Sequence, residues 1–162
     1  MASQDDALSQ PAPGPAKWIG VSLVVAAIAF LASPHGPLGA FWRPSPDMPT
    51  PVGPQVPLFM LLNIAEAVAF GAGVAFLIFG YRLIRSTAPG FPALGLAAYL
   101  SVAWLLINWW PHDSLHVANG MKLWGLLGIE YGFHITLMLA GAVLARFFFL
   151  VVADRRLGRQ QA

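Results

Sequence analysis

Four apolar runs, separated by polar or proline-rich stretches, set the plan of this chain. The first extends from Trp18 to about Ser33 and carries no charge, with Lys17 and Trp18 as an interfacial anchor. It lies at the short end of the roughly 17–25 residues that a membrane-spanning helix needs. The second runs from Leu58 to about Ile84, holds Asn63 and Glu66, and closes with Tyr81, Arg82 and Arg85. The third runs from Phe91 to Trp110 after a short turn at 86–90. Pro92 falls in its first turn, where proline is tolerated, and Trp109 and Trp110 end it as an aromatic belt would. The fourth, from about Leu123 to Val152, is longer than a bilayer requires, so it predicts a tilted or projecting helix. Asp154, Arg155, Arg156 and Arg159 end it in water. No internal repeat relates these runs.

The stretches between them are equally informative. Residues 34–57 carry prolines at 34, 37, 44, 46, 49, 51, 54 and 57. Each lacks a backbone donor and restricts its neighbour, so this is an extended aqueous or interfacial loop. Loops this long are uncommon without a task, and often cover something. Phe41 and Trp42 would let it rest on the membrane surface or on the helices. Pro111 breaks the third helix and can open the next, so Pro111–Gly120 reads as a short interfacial helix stopped at Asn119–Gly120. Residues 1–16 are polar and rich in Pro and Ala, which predicts a disordered tail. The early Asp5 and Asp6 speak against a secretory signal.

Composition turns these runs into a class. The chain of 162 residues is 57% hydrophobic and 10% charged, with a mean hydropathy of +0.67. Soluble domains carry about 25% charged residues. The expected fold is therefore all-α and integral to the membrane: a four-helix transmembrane bundle with a short interfacial helix between helices 3 and 4. A tail at 1–16 precedes a transmembrane domain at 17–153, and a basic tail at 154–162 follows. Basic residues flank the second-to-third connection and the C-terminus, and Lys17 precedes the first run. The positive-inside rule then sets both termini in the cytoplasm of a cell-membrane protein, with residues 34–57 and 111–120 outside. A net charge of +2 and no basic patch interleaved with aromatics exclude a nucleic-acid partner. The absence of cysteine removes disulfides, thiolate metal sites and Cys nucleophiles.

Chemistry gathers near residues 109–134. His112 and His116 are four apart on the expected interfacial helix, and Asp113 shares their face with His116. That is the spacing by which two imidazoles grip one metal in the HExxH pattern, although the full motif is absent here. Glu130 and His134 are also four apart, at roughly 10 and 16 Å below the start of the fourth run. Glu66 comes at roughly 12 Å on the second run, with Asn63 one turn above and Asn108 near the same edge of the third. Ionisable groups in hydrocarbon face the protein interior, find partners and mark function. His112, Asp113, His116, Glu130, His134 and Glu66 are thus expected to converge on one metal or cofactor site in the outer leaflet. Nitrogen and oxygen donors without thiolate suit Zn, Cu(II), Fe or Mn. Haem ligated by two histidines is less natural amid so many carboxylates.

Gly125, Gly128 and Gly132 form a small-residue pattern roughly opposite Glu130 and His134, a face for a second copy or for a partner in a membrane complex. Glu66, Gly73 and Gly80 form a second stripe, which allows tight packing of the helix that carries the acid. Two functions follow. One is a membrane metalloprotein, an enzyme or a redox subunit, whose metal polarises substrate or activates water or oxygen. The other is a non-catalytic accessory or assembly subunit whose polar cluster is structural. A proton or ion conductor would need polar groups in the inner half, and the sequence offers none before Arg146.

Overall fold

The computed structural model describes residues 14–87 and 90–160, with side chains as far as Asp154. Most of the tail expected over 1–16, the 88–89 turn and the basic side chains Arg155, Arg156 and Arg159 lie outside the described residues. Among the described residues the chain is helical, with no strand. The helices are α1 (Pro15–Ala32), α2 (Gln55–Phe79), α3 (Tyr81–Thr87), α4 (Pro92–Ile107), α5 (Trp109–Asn119), α6 (Leu123–Glu130) and α7 (Thr136–Gln160). A 3₁₀ turn covers Gly39–Trp42, and a π-helical turn at Tyr131–Ile135 joins α6 to α7. Three helices are long and apolar enough to cross a membrane: α1, α2 and the continuous run from α6 into α7. A fourth span results if α4 and α5, bent by 46°, count as one.

Local chemistry explains most boundaries. Proline stands in the first turn of α1 and of α4, where a missing N–H leaves no carbonyl without a partner. Ser33 closes α1, its N–H and its hydroxyl both donating to the Phe30 carbonyl, before Pro34. The second apolar run is divided at Gly80, so its basic end forms the separate α3. Pro111 cannot donate to the Ile107 carbonyl and crowds it, so the helix breaks at Asn108 and restarts as α5. The Asn108 backbone N–H and side-chain amide both donate to the Trp104 carbonyl at this bend. Gly120 ends α5 at φ 63°, a backbone state that glycine adopts readily. The last helix runs to Gln160, past the expected end at Val152.

Packing is serial. α1 lies against α2, α2 against α4 and α4 against α7, while among the described residues α7 makes no comparable contact with α1 or α2. The helices expected to surround a common core form a row instead. Gly71 on α2 has the Ser22 carbonyl and the Ala26 backbone of α1 directly above it. Gly73 is similarly close to Leu106 and Ile107 of α4. At the far end of the row, Phe147 and Val151 of α7 bury against Ala98 of α4, flanked by Ile84, Leu94 and Leu144. The rest of α7 presents Met138, Leu139, Phe148 and Phe149 outward. An apolar surface of that extent suits lipid and not water.

α5 crosses the ends of this row and touches α2, α4, α6 and the 3₁₀ turn. Trp110 is its anchor: the indole N–H donates to the Ala29 carbonyl of α1 at 3.0 Å, and the ring packs on Phe70 and Trp42. Trp42 itself donates to the Ala32 carbonyl at 2.7 Å, so the proline-rich loop folds back over the helices. Further along, that loop clamps the C-terminal end of α5. The Ser45 N–H donates to the Val117 carbonyl, and Asp47 accepts from the Met121 N–H and the Ser45 hydroxyl. The Ser45 hydroxyl and then the Met121 N–H hold the Asp47 carboxyl below the usual carboxylate range.

A depressed carboxylate stabilises the fold above its unfolded pKa, and that stabilisation is lost as pH falls through the lower folded value. The clamp therefore operates at neutral pH. Asp47→Ala should accelerate amide hydrogen exchange at Gly120 and Met121 relative to the α2 core. Equal protection in variant and parent would show that the loop merely rests there.

Candidate metal centre

The two histidines of α5 come first. Their spacing of four puts His112 and His116 on one helical face, with Nε2 atoms 3.1 Å apart. His116 Nε2 is also 3.3 Å from Glu130 Oε1, across the α5–α6 contact. The other carboxylate oxygen, Oε2, receives His134 Nδ1 at 2.6 Å. One donor atom each from His112, His116 and Glu130 lie mutually within 4.8 Å. Donors held about 2.0–2.2 Å from one ion at tetrahedral or octahedral angles stand roughly 3 Å apart. The His112–His116 and His116–Glu130 separations match that spacing, so the group could hold a metal ion.

The six expected residues divide accordingly. His112, His116 and Glu130 make the compact set. His134 reaches it through Glu130, and its ring lies 5.3 Å from that of His112, tilted by 47°. Asp113 and Glu66 stand outside the set, close enough across the α2–α5 contact to sense each other's charge. Asn63, which the sequence places beside Glu66, is employed elsewhere: its amide donates to the Ser33 hydroxyl at 2.8 Å and ties α2 to α1. Of the glycine face, Gly125 lies under the Asn119 side chain, whereas Gly128 and Gly132 have open space beside them.

The centre is open on one side: the His116 side chain is 24% exposed, Glu130 42% and His134 51%. An ion held there would keep positions for water or substrate. Haem held between His134 and a histidine of α5 fits poorly, because the His134 and His112 rings stand only 5.3 Å apart and tilted by 47°, with no slot between them for a porphyrin, and His134 Nδ1 is engaged by Glu130.

Sequence reasoning missed the supports of this site. Ser45 and Asp47, which clamp the end of α5, had no signal beyond lying in a loop that should cover something. Trp104 and Thr136 were unmarked too. The Trp104 indole N–H donates to the Thr136 hydroxyl at 2.9 Å, and its ring stacks on Phe133 in the π turn. No protein-family model, curated protein or solved structure matches this chain.

Proposed function

We propose that this chain is a four-span membrane metalloprotein that binds one divalent or redox metal ion, Zn, Cu or Fe, through His112, His116 and Glu130. The observation that carries the reading is the spacing of three donor atoms from two helices around one point. Two imidazoles and one carboxylate are the ligand set of hydrolytic zinc sites and of non-haem iron sites that keep open positions. The metal would polarise a bound substrate or activate water or oxygen. The chain's own His134 holds the far oxygen of Glu130 while the near one faces His116. Elemental analysis together with an absorption spectrum of detergent-purified protein tests this directly. About one metal ion per chain supports it. Metal-free protein that takes up no Zn, Co, Cu or Fe on titration refutes it.

In the membrane, α1, α2, the bent α4–α5 pair and α6–α7 are the four spans, with both termini cytoplasmic and the metal centre on the outer side. Reporter fusions after Arg85 should behave as cytoplasmic, and fusions within 34–57 as external. The reverse pattern overturns the placement of the site.

The second reading is a non-catalytic subunit of a larger membrane complex, with the polar cluster structural. The open space beside Gly128 and Gly132 favours it, because small residues on an exposed helix face admit the close approach of another helix.

A further inference from the structure

The polypeptide between Glu130 and Thr136 is not α-helical. Tyr131–Ile135 forms a π turn between two α-helical stretches. Such turns hold one extra residue, and one residue corresponds to about 100° of rotation in a helix of 3.6 residues per turn. The consequence is geometric. Ala140, Phe147 and Val151 are buried and Leu144 is partly so, a stripe that fixes the rotation of α7 on the rest of the row. The π turn then sets, independently, which face of α6 meets α5. Glu130 is the last residue of α6, immediately before the offset.

A π turn needs support, because its carbonyls leave the regular ladder. Here the support is Thr136. Its hydroxyl lies 2.6 Å from the Gly132 carbonyl and 2.9 Å from that of Phe133, so it donates to that pair. Its oxygen in turn accepts the Trp104 indole N–H from α4. Trp104 also stacks on Phe133 at a ring separation of 5.8 Å, and Phe133 packs against His112 at 5.0 Å. A continuous path therefore runs from α4 through the π turn to both sides of the metal centre.

We infer that Thr136, braced by Trp104, is a positioning residue for the metal centre: it holds the π turn that aims Glu130 at His116. This rests on the metal-binding reading for its functional meaning, but the conformational part stands alone. Without the hydroxyl, the turn relaxes toward the regular α-helical ladder. Glu130 then rotates away from His116 while α7 stays in place.

The experiment reads both parts in reconstituted protein. Spin labels at Trp124→Cys and Phe148→Cys, two exposed positions on α6 and α7 in a chain without native cysteine, report the offset across the turn. Cobalt titration reports the centre through its d–d absorption. Thr136→Val should change the interspin distance and weaken cobalt binding at least tenfold, a loss of the size seen when groups behind metal ligands are removed. Thr136→Ser, which keeps the hydroxyl, should restore both. Any of three outcomes overturns the inference: an unchanged distance in Thr136→Val, full cobalt affinity despite a changed distance, or failure of Thr136→Ser to rescue. If the parent protein binds no cobalt, the metal reading fails by itself, and the distance measurement still decides whether Thr136 holds the turn.

Discussion

His116→Ala should abolish metal binding, lowering affinity by more than the roughly 10–100-fold expected for a group behind a ligand. His116 is the middle member of the set, 3.1 Å from the His112 nitrogen and 3.3 Å from the Glu130 oxygen. Its removal leaves a two-residue site, one nitrogen and one oxygen with no donor between them. Replacing His134 should do less, about 10–100-fold, because His134 touches the carboxylate from behind. The order of the two effects is the discriminating result. If His134→Asn costs as much as His116→Ala, the imidazole of His134 is itself a ligand. If neither changes cobalt affinity or spectrum, the site lies elsewhere.

Acid should imitate the mutation. Protons compete with metal for imidazole, so binding weakens as pH falls. Cobalt affinity should therefore fall steeply as pH drops through the range in which free imidazoles take up protons. Affinity that stays constant from neutral to acidic pH would show that no imidazole binds the ion.

How much of this could be read from the sequence depends on how local each cause is. The apolar runs, the stop at Pro111 and the turn at Gly120 follow from single residues and their immediate neighbours, and the helices begin and end near them. The i,i+4 pairs His112–His116 and Glu130–His134 are similarly local, and each pair meets in the structure. What brings the two pairs together is not local. It depends on a π turn for which the stretch Tyr131–Ile135 carries no marker, and a wheel drawn as one straight α-helix misplaces one end relative to the other. The same is true of Asn63. Its depth matches that of Glu66, but Ser33 on α1 claims its amide. Depth along a helix was legible, whereas azimuth and partner were not, because both depend on which helices pack together.

Gly71→Val should be among the most damaging single changes to the fold. On α2, Ala67, Gly71 and Ala75 recur every four residues and are buried. On α1, Gly71 faces Ser22 and Ala26, so small residues on both helices bring the backbones close. A Cβ at position 71 would run into the Ser22 carbonyl oxygen and lie 2.8 Å from the Ala26 nitrogen. These are backbone atoms of a helix, which cannot swing aside as a side-chain tip can. Overpacking a tight site costs about 1–3 kcal/mol, occasionally more, and a rigid obstacle argues for the upper part of that range. The displacement would spread. Moving α1 away carries Ala29 and Ser33 with it, the acceptors for Trp110 of α5 and Asn63 of α2. Loss of the Trp110 anchor loosens the helix that holds His112 and His116, so metal affinity should fall together with the melting temperature in detergent. Gly128→Val provides the contrast, because among the described residues nothing outside its own helix lies within 4 Å of a Cβ there. The isolated protein should tolerate that change, and a defect seen only in the native membrane would locate a partner at this face. If Gly71→Val melts like the parent while Gly128→Val does not, the close contact of α1 with α2 is not what holds this protein together.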